Sequence, residues 1–122
     1  MHKTLLSLLA LIILIPGYLC CGQEDYSLKG DQNLVLARSG IDKDSVNTAL
    51  KDALTNFSRE IEINPGFGHA YTGRGEAKFM LGDYRGAITD CRKASEIDPG
   101  DVDAYIIQGR AEKTISRMRP SQ

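Results

Sequence analysis

At 122 residues the chain is long enough for one small domain and too short for two. Fifteen basic and sixteen acidic side chains leave a formal net charge of −1, which excludes the basic field of a nucleic-acid binder. Three cysteines, two of them adjacent at Cys20 and Cys21, make no disulfide framework, and no CxxC or HExxH spacing calls for a metal or another cofactor.

Residues 1–22 begin with His2 and Lys3, run apolar from Leu5 to Ile15, and then meet Pro16-Gly17. This is the pattern of an export signal, because an uninterrupted membrane span needs about 20 apolar residues. Cleavage after Gly22 leaves small residues, Cys20 and Gly22, at the recognition positions. The alternative is a lipoprotein signal with Cys20 as the lipidated residue, although Gly17 and Leu19 depart from its usual order. The expectation is an exported chain (periplasmic, secreted or envelope-anchored) that touches a membrane only through this segment.

Residues 23–67 read as a degenerate N-terminal unit. Glu24 to Ala37 is its first helix, carrying Tyr26 and Gly30 four apart; the competing reading is a poorly ordered segment. Ser45 to Ile63 is the second, capped by Asp44 or Ser45, with a buried stripe of Val46, Ala49, Leu50, Ala53, Leu54, Phe57 and Ile61. Asn64-Pro65-Gly66 stops it. Residues 68–101 read as a complete helical pair. In its first helix Tyr71 and Gly75 share a face, and the glycine lets the partner helix approach while the ring covers the gap. Leu81-Gly82-Asp83-Tyr84 breaks the helix, with Gly82 taking the left-handed C-terminal position and Asp83 capping the next start. Tyr84, Ala87, Ile88, Cys91, Ala94 and Ile97 make the stripe of the second helix, and Pro99-Gly100 ends it. Within residues 102–122, Val102 to Ser116 forms one more helix without a partner, closed by Arg117 and Arg119, whose charge suits the helix dipole.

The pattern recurs. Thirty-four positions after Ala70-Tyr71 and Gly75 stand Ala104-Tyr105 and Gly109, and 34 before Ala87, Cys91 and Pro99-Gly100 stand Ala53, Phe57 and Pro65-Gly66. A mid-helix glycine costs about 1 kcal/mol of propensity, so its return at Gly109 is expected to serve packing. Residues 68–101, carried by Tyr71, Gly75, Gly82, Tyr84, Ala87, Cys91, Ala94 and Pro99, resemble one 34-residue tetratricopeptide repeat. The resemblance implies an all-α fold, a short helical-repeat solenoid of antiparallel helix pairs, about two and a half units long with the last helix as a cap. Tyr26 and Tyr71 are 45 apart, eleven more than 34, so the hairpin loop around Ser39 to Asp44 is expected to carry an insertion.

The resemblance also implies a concave groove lined by the first helix of each pair. Carried onto this sequence, its lining is His69, Thr72, Glu76, Phe79 and Met80, then Asp103, Ile106, Arg110 and Lys113. Such a mixture suits an extended peptide or a partner helix, against the plainer reading of a solvated face. One version of the family grips a C-terminal carboxylate with lysine, asparagine and arginine. Thr72, Gly73, Glu76, Ile106, Ile107 and Arg110 do not make that clamp, and Glu76 would repel a carboxylate. His69 reads as a capping or surface residue, since no acid or nucleophile is spaced to it. Cys91 reads as a small buried hydrophobe, and Asp83 and Asp90 as a cap and a surface charge. The expected function is non-catalytic binding of a protein or peptide partner. The alternative is a structural subunit that self-associates as a homo-oligomer or stacks into an envelope assembly, and a small hydrolase has only His69 and scattered acids behind it.

Overall fold

A computed structural model describes residues 24–121. Among them are five helices: α1 (Tyr26–Ser39), α2 (Lys43–Ile63), α3 (Gly68–Met80), α4 (Tyr84–Ile97) and α5 (Val102–Met118), and no strand. The export-signal reading of residues 1–22 lies outside the described residues.

Aspartate sets most of the helix starts. Asp25, Asp42, Asp83 and Asp101 each accept a hydrogen bond from a first-turn N–H, of Leu28, Ser45, Gly86 and Ala104 respectively, satisfying a donor that has no partner within the helix. The stops are equally local. Gly82, at φ 87°, donates its N–H to the Phe79 carbonyl, and Asp83 donates to Lys78, a left-handed C-terminal turn that a side chain would oppose. Asn64 and Asp98 end α2 and α4 in matching turns. Their N–H groups reach Glu60 and Ala94, and their carbonyls accept from Phe67 and Asp101, both at 3.1 Å. The 34-residue period is thus written in the backbone as well as in the side chains.

Consecutive helices pack against one another, and α1, α3 and α5 also touch in turn, whereas α2 and α4 do not. The odd-numbered helices therefore form one layer, with α2 and α4 behind it. Two clusters fill the space between. The first joins Leu34, Ala37, Ala49, Leu50, Ala53, Phe57, Ala70 and Ala77, flanked by Val46, Leu54 and Ile61; the expected stripe of α2 lies wholly within it. The second joins Tyr71, Cys91, Ala94, Ala104 and Ile107, with Phe79 and Ile97 against it. The Tyr71 hydroxyl donates to the Pro65 carbonyl at 3.0 Å, tying α3 to the turn before it.

Three expectations need correction. The connection between α1 and α2 holds no insertion: only Gly40, Ile41 and Asp42 lie between them, and α2 starts at Lys43 with Asp42 as cap. The extra length has gone into helix, since α2 has 21 residues against 14 in α4. Tyr26 does not repeat Tyr71. It opens α1, and its ring lies beneath Lys29 and Arg59 at 5.6 and 5.8 Å. Tyr105 and Gly109 do not pack as Tyr71 and Gly75 do. A Cβ on Gly75 would stand 2.9 Å from the Cys91 sulfur, whereas one on Gly109 would meet none of the described residues within 4 Å. Among the described residues no helix follows α5 to cover that face, and Tyr105 stays half exposed.

Candidate protein-interaction groove

Where α1, α3 and α5 converge, a recess of about 250 Å³ opens on their shared surface. Asp31, Leu34, Val35 and Arg38 line it from α1; His69, Thr72, Gly73 and Glu76 from α3; Asp101 and Asp103 from the start of α5. The α1 and α3 sets each fall on one helix face by the spacing of three and four.

The α3 residues are held rather than free. The Arg38 guanidinium grips Glu76 as a fork: its Nη2 donates to both carboxylate oxygens at 2.5 and 2.6 Å, and its Nε donates to Oε1 at 2.9 Å. That hydrogen bonding raises the affinity of Arg38 for its proton. Thr72 is buried, and its hydroxyl donates to Asp101 Oδ2 at 2.5 Å. The other oxygen of Asp101 caps α5 through the Ala104 N–H. Thr72, which lines the recess, is therefore also a strut that ties α3 to the start of α5. His69 is exposed, and its Nε2 lies 3.0 Å from Asp31 Oδ2. An acid does stand beside this histidine, then, but it comes from α1. The ring is also edge-on to Phe57 and tilted against Phe67, at 6.5 and 5.8 Å.

The remaining expected residues sit further along the same surface. Phe79 packs edge-on against Tyr84 at 5.4 Å and lies under the Arg110 guanidinium at 4.9 Å, a cation–π contact. Met80, Asp103, Ile106, Arg110 and Lys113 are exposed, and on α5 the last four follow one face at spacings of three and four. The recess thus unites His69, Thr72, Glu76 and Asp103, while Phe79, Met80, Ile106, Arg110 and Lys113 form its extension. The contribution of α1 and of Asp101 was missed in the sequence. Aligning Tyr26 with Tyr71 put α1 out of register, whereas Arg38 meets Glu76 and Asp31 meets His69 across the same interval of 38 residues.

Behind the groove, Asp90 of α4 is buried rather than on the surface. It accepts from Arg74 Nε and Nη2 at 2.8 and 2.7 Å, and Lys78 Nζ stands 2.8 Å away. Two cations on one carboxylate compensate its burial. The neighbouring Cys91 is fully buried, and loss of solvent pushes its thiol up to about 12, with Asp90 adding to the effect. It is the inert small hydrophobe expected.

No protein-family model matches the chain. It is 36% identical over 55 residues to the Protein SGT1 homolog of Oryza sativa subsp. japonica, covering 45% of this chain and 15% of that protein. Over 65 residues it is 34% identical to the same plant's DnaJ protein P58IPK homolog B and 32% identical to homolog A, in each case 53% of this chain and 14% of the relative. The chain spans a small part of each relative's length. These relatives contain tetratricopeptide repeats, and the similarity, low in identity and partial in coverage, is consistent with a tetratricopeptide-like chain.

Proposed function

We propose that this chain is a non-catalytic protein-interaction module that receives a peptide or a partner protein in the groove of α1, α3 and α5. One observation carries the reading: three first-type helices converge on a recess whose side chains are fixed by cross-helix bonds, from Arg38 to Glu76 and from Thr72 to Asp101. Preordered groups of this kind lower the entropic cost of binding. The similarity to repeat-containing proteins supports the same class, and the apolar run from Leu5 to Ile15 supports its action outside the cytoplasm.

The test is affinity capture with the full chain against the paired substitution Asp103→Arg and Ile106→Glu. Both residues are exposed on α5 and neither makes a side-chain bond that folding requires, so circular dichroism should be unchanged. A partner retained by the unaltered chain and lost with the pair places binding in the groove; equal retention by both removes it from there. A second reading, self-association, draws on the open face of α5, where Val102, Tyr105 and Gly109 have no covering helix among the described residues. Sedimentation at rising concentration tests it, with Tyr105→Arg expected to abolish any growth in size.

A further inference from the structure

We propose that the segment this groove selects is cationic and carries arginine, and that Arg38 already occupies the place such an arginine would take. The inference rests on the groove reading above and names its ligand class. Four carboxylates, Asp31, Glu76, Asp101 and Asp103, border the recess against the single guanidinium of Arg38, an excess of three carboxylates over guanidinium. Field lines concentrate in such a concavity, drawing positive groups and repelling negative ones.

The internal pair shows the geometry the recess accepts. A planar guanidinium lies in it with both Glu76 oxygens engaged, an arrangement that a lysine ammonium does not reproduce. Beside it, Asp103 is exposed and forms no hydrogen bond or ion pair among the described residues, though its charge is near enough to act on Arg38. Asp103 is a carboxylate left over after the internal bonds are made. Val35, more than half exposed at the rim, and Leu34 beneath it offer apolar surface to the methylene stem of an incoming side chain. Arg110 lies about 10 Å along α5 from Asp103, turned onto the Phe79 ring.

An arginine-bearing peptide has two ways in. It pairs with Asp103 while Arg38 stays in place, or it displaces Arg38, which is itself exposed and swings out on a flexible stem. In the second route Arg38 is a competitor, so removing it should strengthen binding.

Fluorescence anisotropy with labelled octapeptides tests this, using the full chain and peptides of one neutral background carrying two arginines, two lysines, two glutamines or two glutamates. The expected order is arginine, lysine, glutamine, glutamate, with arginine at least about tenfold tighter than glutamine. Glu76→Gln with Asp103→Asn should weaken the arginine peptide by about tenfold or more while barely moving the glutamine peptide. Arg38→Gln should tighten the arginine peptide several-fold. Equal affinities for all four peptides, a preference for glutamate, or indifference to the carboxylate substitutions overturns the inference. If partner capture still depends on Asp103 and Ile106 while no arginine peptide binds, the ligand class is wrong and the groove reading stands. If capture ignores the groove, the reading beneath it fails instead. Circular dichroism on each variant separates lost binding from lost fold.

Discussion

Phe57 and Cys91 stand 34 residues apart at the same place in successive joints, both fully buried, yet they differ greatly in bulk. The phenyl ring lies in a slot between two glycines. A Cβ on Gly30 of α1 would stand 2.6 Å from its tip, and one on Gly73 of α3 would come closer still. Cys91 fills far less, and 34 residues after Gly73 the chain places Ile107, buried in the same cluster. Large against small in one joint becomes small against large in the next. The repeat conserves the filled volume of each joint, not the residue that fills it, as dense packing requires.

The sharpest way to break that equivalence is Gly73→Ile, which forces the second joint's residue against Phe57. It should cost at least about 3 kcal/mol in urea unfolding. Adding Phe57→Cys should recover most of the loss, and a double variant no better than the single would show that the two positions do not trade volume. Next in size is Asp90→Asn. The first joint has Asn56 at the matching position, so the change gives the second joint the neutral chemistry of the first. It leaves Arg74 and Lys78 without their shared carboxylate, and a loss of about 2 to 3 kcal/mol is expected.

Gly75→Ala and Gly109→Ala should have opposite signs. The first presses a methyl on the Cys91 sulfur and stands 3.3 Å from the Ala87 carbonyl, costing about 1 to 2 kcal/mol. The second meets open space and should stabilise by about 1 kcal/mol through helix propensity. Thermal melts of the pair are a direct comparison of a covered and an uncovered repeat face. Cys91 offers a comparison by titration, with no effect expected near neutral pH. With its pKa raised from 9.0 to about 12 in the fold, its contribution is complete below the unfolded value and is lost as pH climbs through the folded one. At pH 8 its reaction with a disulfide reagent should be slow until urea is added.

The period of 34 made α2 through α5 legible, because Pro65 and Pro99, Ala53 and Ala87, Tyr71 and Tyr105 recur at fixed intervals and each has a local physical meaning. The helix α1 was legible, expected over Glu24 to Ala37 and found over Tyr26–Ser39, but its packing was not. Tyr26 and Gly30 have the spacing of Tyr71 and Gly75, but Gly30 serves the Phe57 ring, and the glycine on α3 that serves the same ring is Gly73. Spacing alone does not say which neighbour a glycine makes room for. Of the residues that line the recess, His69, Thr72, Glu76 and Asp103 were named in advance, but their bonds to other elements were not. That Thr72 is a strut, or that Glu76 is already paired, depends on Asp101 and Arg38, residues brought in by the folding of other elements. Gly109 misled for a related reason: repetition of a residue does not carry with it the neighbour that gave the residue its purpose.

The exchange of bulk between joints also limits how freely such a unit could be multiplied. A tandem copy of residues 68–101 inserted after Asp101 would set the copied Gly73 beside the original Cys91, small against small. The backbone turns would match, since Asn64 and Asp98 already end their helices alike, but the new joint would hold a void large enough to weaken it. Restoring it takes one change, isoleucine at the copied glycine or phenylalanine at Cys91. Lengthening this array is therefore a problem of side-chain volume at the seam, already solved in two different ways within one short chain.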